Sequence, residues 1–195
     1  MNSRLKILAN IKTHKPAQAE IPQIEIDHFT EEFDMLSKFK EMVKIVGGTV
    51  YSADSNSDVC QQLKDIYPEA KMNISFLADS TLFNSIELSQ IQRPHDLEDL
   101  DILLLEGDFG VAENGAIWIS DDEISIRVLP FIAKHLVLVV DKSKIVPYLH
   151  QAYNQLKDKS YDFGLFISGP SKTADIEQSL VIGAQGALSL SVFLR

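Results

Sequence analysis

The sequence predicts an α/β domain, three layers deep, in which a mainly parallel sheet lies between helices. Two observations lead there. Apolar runs of strand length, rich in Val, Ile and Leu, alternate with segments whose apolar residues recur every three or four positions, the order that produces strand–helix–strand crossovers. The chain has 195 residues, 45% apolar and 24% charged, which suits one domain with a sizeable core better than two small ones. Right-handed crossovers then gather the strand ends at one edge of the sheet.

The elements follow in order. Leu5, Leu8 and Ile11 predict a short helix over Ser3 to Lys12. The polar stretch Thr13 to His28, holding Pro16 and Pro22, reads as an arm, so residues 1–28 form an N-terminal helix and arm and residues 29–195 the α/β domain. Such an arm could reach a second copy and allow a homo-oligomer. Phe33, Leu36, Phe39, Met42, Val43 and Val46 share one face of a helix expected over Phe29 to Val46, stopped by Gly47-Gly48. Thr49 to Tyr51 starts a strand, and Ser57 to Ile66 forms a helix with Val59, Leu63 and Ile66 inward and Pro68 beyond its end. Ile74 to Leu77 and Ile102 to Leu105 are short apolar runs bounded by polar residues, as fully buried strands are. The second half predicts strands at Ala116 to Ser120, Leu136 to Val140, Phe163 to Ile167 and Leu188 to Leu194. Helices are expected at Ser143 to Leu156 and Ala174 to Ile182.

Charge and cysteine content exclude several functions. Eighteen basic against twenty-eight acidic residues give a net charge of −10, which opposes binding to nucleic acid or anionic lipid. Cys60 is the only cysteine, so the chain can build neither an internal disulfide nor a Cys-ligated iron–sulfur cluster. The first fifteen residues lack the apolar block of a secretory signal, and the apolar stretch Leu180 to Leu194 is broken by Gly183, Gln185 and Gly186. A cytoplasmic protein without a membrane span is expected. The five histidines show no ligand spacing, so no metal site is expected. His135 reads as a packed residue, Arg127 as the partner of an acid or a contact for an anionic substrate, and Trp118 as strand core.

Three segments could carry chemistry. Gly107 to Gly115 lies between two apolar strands and places three glycines in nine residues; its acid, Glu113, would be partly desolvated there and could act as a nucleophile. The same residues also suit a tight Asn-Gly turn in which Glu113 bonds backbone amides. Gly169, Pro170, Ser171, Lys172 and Thr173 follow a strand and precede the expected helix at Ala174. Free amides, hydroxyls and a lysine at a helix start would seat a phosphate or carboxylate, although Ser171 or Thr173 could be caps alone. In the third segment, Gly183 to Ala187, Gly183 would end that helix and Gln185 could offer its amide to a ligand or only satisfy loop carbonyls. The candidate ligand residues are therefore Gly110, Asn114, Gly115, Gly169, Pro170, Ser171, Lys172, Thr173 and Gln185, with Glu113 as the candidate catalytic group.

The order and spacing of these runs resemble the LUD-domain family, the group that includes lactate-utilisation protein C. The resemblance rests on Gly110-Val111-Ala112-Glu113, Leu129-Pro130, Gly169-Pro170-Ser171 with Thr173-Ala174-Asp175-Ile176-Glu177, and Gly183 with Gly186, covering about Leu103 to Leu194. Asn114, Gln185 and Ala187 stand where the family often has Thr, His and Pro. The resemblance implies the fold of the sugar-phosphate isomerase and coenzyme A transferase superfamily. It also implies a place in a bacterial system oxidising lactate to pyruvate, with no cofactor on this chain and iron–sulfur clusters on partner proteins. A small organic anion would then bind across Glu113 and the Gly169 loop. A second expectation is a coenzyme A transferase-like enzyme, because Ala112-Glu113-Asn114-Gly115 comes close to the Ser-Glu-Asn-Gly run of some transferases, whose glutamate attacks a thioester.

Overall fold

A computed structural model describes all residues except 1, 18, 21–23, 26–28, 30–31, 122–123, 125 and 175–179. The chain forms two units, residues 1–32 and 33–195. The first holds helix α1 (Ser3–Thr13), whose Asn2 cap accepts the Arg4 N–H; none of its residues is buried, and Leu5, Ile7, Leu8 and Ile11 are exposed. The arm expected over residues 13–28 lies partly outside the described residues.

The second unit begins with α2 (Met35–Ile45), which starts later than the periodicity suggests. The cause is Asp34: its carboxylate accepts the N–H groups of Leu36 and Ser37 and so fixes the helix start. The chain continues through β1 (Thr49–Ser52), α3 (Asn56–Ile66, capped by Ser55), β2 (Asn73–Ser75), β3 (Ile102–Glu106), β4 (Phe109–Val111) and β5 (Ala116–Ser120). Then come the short α4 (Leu129–Ile132), β6 (His135–Val140), β7 (Ile145–Val146), α5 (Leu149–Leu156), β8 (Gly164–Ile167), β9 (Lys172–Ala174), β10 (Leu180–Ile182) and β11 (Ser189–Leu194).

The central sheet has the order β1-β11-β6-β3-β2 with every pair parallel, as the alternating pattern requires. Side chains alternate across it. Ile102, Leu104, Val137, Val139 and Phe193 meet Val59 and Leu63 of α3 on one face, while Leu103, Leu105, Leu136, Leu138 and Val192 share the other with Phe39 and Val43 of α2. Part of that second face is covered by a smaller sheet, order β7-β4-β5-β8, through Ile117 and Ile119. Its outer side packs Phe109, Val111 and Trp118 against Ala152 and Leu156 of α5, so Trp118 is core.

Two expected helices are corrected. Over Ser143 to Leu156 the helix begins only at Leu149, since Pro147 has no N–H to offer and residues 145–146 pair with β4 instead. Over Ala174 to Ile182 the described residues form an antiparallel hairpin, β9 with β10, and residues 175–179 lie outside the description. The β-branched Thr173, Val181 and Ile182 favour that pairing. Among the described residues no helix is long and apolar enough to cross a membrane.

Candidate functional site

The β4–β5 hairpin turns through residues 112–115. The Gly115 N–H donates to the Val111 carbonyl at 2.9 Å, and the Asn114 side-chain oxygen accepts the Ala116 N–H at 3.0 Å, the Asx geometry that an Asn-Gly pair favours. Gly115 has φ +68°, and a Cβ there would come within 2.8 Å of the Val43 backbone nitrogen; at Gly110 it would meet the Phe39 ring at 2.8 Å. Both glycines are buried against α2, so their missing side chains serve the approach of helix to hairpin.

Antiparallel pairing of β5 with β8 sets Ile117 opposite Ile167, and the next residue, Ser168, therefore emerges beside the turn. Its hydroxyl donates to the Asn114 carbonyl at 2.8 Å, joining two segments fifty-four positions apart. Gly169 then bends with φ +80°, where a Cβ would lie 2.4 Å from the Val46 carbonyl oxygen at the end of α2. Pro170 is buried; Lys172 is exposed. The Lys172 ammonium lies 3.4 Å from the place a Cβ of Gly47 would occupy, so a positive charge sits at the carbonyl end of α2, its favourable side. Ser171 is held on both sides, its N–H donating to Ala187 at 2.9 Å and its carbonyl accepting the Gly183 N–H at 3.0 Å. This fastens the loop carrying the exposed Gln185 to the same segment. Asn114, Gly115, Gly169, Pro170, Ser171, Lys172, Thr173 and Gln185 thus belong to one rim built on the end of α2.

Two expectations about this rim are corrected. No helix follows the Gly169 loop in the described residues, so the proposed anion seat at a helix start is absent and Thr173 lies in β9 opposite Val181. Asp175, which would have favoured that helix dipole, lies outside the described residues. Glu113 is exposed, not desolvated, and its carboxylate accepts the Leu149 N–H at 2.8 Å while its own N–H donates to Pro147 at 3.0 Å. It therefore occupies the amino end of α5, where a negative charge is favourable. The residues that sequence reasoning missed are Ser168, which ties turn to loop, and Gly47, over which Lys172 lies. The Gly47-Gly48 pair was legible only as a helix stop.

Arg127 pairs with Asp121 at 3.6 Å and lies over the Phe163 ring. Among the described residues no group of three or more His, Cys, Asp or Glu is placed to hold a metal ion.

A parallel-sheet α/β domain carrying an antiparallel hairpin and a glycine-bent loop at one rim is the class that fold and site define. The LUD domain model matches residues 87–194, just over half of the chain, and the protein belongs to that family. Lactate utilization protein C of Oceanobacillus iheyensis is 28% identical over 101 residues, 48% of this chain and 43% of the relative. The protein of that name from Bacillus pumilus is 35% identical over 85 residues, 40% of this chain and 35% of the relative. The matched segment thus spans about two fifths of each curated relative. A DUF162 family protein from Deinococcus radiodurans has the same fold, with a TM-score of 0.59 and 12% identity over 88% of this chain and 99% of that one.

Proposed function

We propose that this chain is a lactate-utilisation subunit of the protein C type, acting in a cytoplasmic system that oxidises lactate to pyruvate and binding a small organic anion at the rim. The observation that carries this reading is the junction of the Asn114 turn with the Gly169 loop through the Ser168 hydroxyl, with the exposed Lys172 ammonium over Gly47 at the same end of α2. An exposed ammonium suits a carboxylate, and the name borne by the relatives supports lactate as the first anion to try. The family resemblance implies iron–sulfur proteins as partners, and a chain with one cysteine, which supplies no Cys-ligated cluster, is consistent with that division of labour.

Calorimetric titration of the chain with L-lactate tests the site. Saturable binding, weakened about tenfold by Lys172→Met, supports it; no heat, or equal heat from the variant, refutes it. Deletion in the native host should abolish growth on lactate and spare growth on glucose, and the tagged chain should bring down iron–sulfur proteins. A deletion strain that still grows on lactate sinks the physiological half of the proposal.

The transferase reading, with Glu113 as nucleophile, has one supporting feature, the exposure of that carboxylate. Its bond to the Leu149 N–H gives it a structural task and makes binding the better reading. Incubation with acyl-coenzyme A followed by a reducing trap leaves the Glu113 peptide unmodified if binding is the function.

A further inference from the structure

At the amino edge of the central sheet, Asn73, Ile102, His135 and Ser189 stand side by side on β2, β3, β6 and β11. Residues 67–72, which follow α3, border this edge and leave a cleft of two adjoining hollows that share Glu69 and Asp101. The larger, about 750 Å³, is polar and takes in Glu69, Lys71, Asp99, Asp101 and Lys134. The smaller, about 270 Å³, is walled by Ile66, Tyr67, Pro68, Ala70 and His135, and Glu69 and Asp101 line both.

The walls are held in place by groups already committed. The Asp101 carboxylate accepts the Lys71 N–H at 2.8 Å, the Met72 N–H at 3.1 Å and the Lys134 ammonium at 2.8 Å. It is therefore spent on fixing the cleft, not on a ligand. His135 stacks on Tyr67 with ring centres 4.2 Å apart, and its Nδ1 bonds the Ser189 hydroxyl at 2.8 Å. The Tyr67 hydroxyl in turn reaches Ser189 at 3.1 Å and the buried Ser191 at 3.0 Å. Burial pushes the His135 pKa down, so its imidazole is neutral at pH 7 and its Nε2 is the remaining polar atom of the ring.

What is left to a ligand is a set of opposed charges. Glu69 and Asp99 offer carboxylates, and Lys71 and the two spare donors of Lys134 offer cations. A plain anion meets the two carboxylates, and a plain cation meets the two ammonium groups. Only a molecule carrying both charges satisfies both pairs, and the smaller chamber adds apolar walls for a side chain of moderate size.

We propose that this cleft is a second binding site, separate from the rim, that takes a free amino acid with a medium apolar side chain. The zwitterionic end lies in the larger chamber, with its ammonium toward Glu69 and Asp99 and its carboxylate toward Lys71 and Lys134. The side chain enters the smaller chamber beside Tyr67 and His135.

The test is calorimetric titration of the full chain with L-leucine, glycine, isoamylamine and 4-methylpentanoate. Leucine binds, and the amine, the acid and glycine each bind at least about tenfold more weakly, since each lacks a charge pair or the buried side chain. Glu69→Gln and Lys71→Met, both on the surface, each weaken leucine by about tenfold, while Lys172→Met leaves it unchanged and so separates this site from the rim. Absence of leucine binding at millimolar concentration overturns the proposal, as does an amine that binds as well as leucine, or binding indifferent to both cleft substitutions.

Discussion

The rim and the amino-edge cleft are built in opposite ways. At the rim the backbone does the shaping: two left-handed glycines, an Asx turn and one serine hydroxyl join three loops around the end of α2. At the cleft side chains do it, with Asp101 binding three donors and Tyr67 and His135 stacked over a line of serine hydroxyls. Backbone-built surfaces break when a side chain is added, whereas surfaces built by side chains break when a charge is removed. That difference separates the variants by size and by pH response.

The largest effect is expected at Gly169. An alanine there must hold φ near +80° and put its Cβ 2.4 Å from the Val46 carbonyl, an atom fixed at the end of a helix. Left-handed strain costs about 1–3 kcal/mol and overpacking a similar amount, so Gly169→Ala should lose roughly 2–4 kcal/mol in urea denaturation and disrupt the proposed lactate binding. A loss below about 0.5 kcal/mol would mean that the loop shifts freely and that the rim is not shaped by its backbone.

The two regions also differ in how far the sequence revealed them. The parallel sheet was legible because β3 and β6 are apolar along most of their length and β11 is broken only by Ser189 and Ser191, with both faces buried. The rim was legible as glycine-rich runs, because a residue that must take positive φ leaves its mark at a single position. The helix expected at Ala174 was not a sound reading. Its apolar residues suited either period, and pairing with Lys172 to Ala174, a tertiary fact, decided for strand. The small sheet was hidden for the same reason, since β4 and β7 are three and two residues long. The cleft left no local signal at all. Tyr67, Asp101, His135 and Ser189 lie in four separate segments: register sets His135 beside Ser189, Asp101 precedes β3, and Tyr67 comes from the segment after α3. His135, read from sequence as a packed residue, is partly packed and also lines a cavity.

A smaller and pH-dependent effect is expected at Asp101. Burial pushes its pKa up, yet the hydrogen bond from Lys134 and the N–H groups of Lys71 and Met72 outweigh this and bring it from 3.8 to about 2. A carboxylate with a depressed folded pKa stabilises the fold above its unfolded pKa and loses that contribution as pH falls through the folded one. The stabilisation is therefore whole at pH 7 and disappears between about pH 4 and pH 2. Discounted for partial solvent screening, it is about 1–2 kcal/mol. Asp101→Asn should show that deficit in denaturant melts at pH 7 and match the wild type near pH 2. An equal deficit at both pH values would assign the effect to lost hydrogen bonds alone.

The smallest effect is expected at Glu113, where the rim does depend on a side chain. Its carboxylate caps α5 through the Leu149 N–H, since Tyr148, the residue before the helix, provides no capping bond of its own. Glu113→Ala removes the acceptor and should cost about 1 kcal/mol, the usual scale of a lost helix cap. Glu113→Gln keeps an amide oxygen for the N–H and loses only the charge beside the helix dipole, so it should cost about 0.5 kcal/mol, and less in high salt. If both variants also bind lactate like the wild type, Glu113 supports the rim from outside the ligand. If Glu113→Gln alone abolishes binding or turnover with its stability intact, the carboxylate has a chemical role, and the transferase reading replaces the binding one.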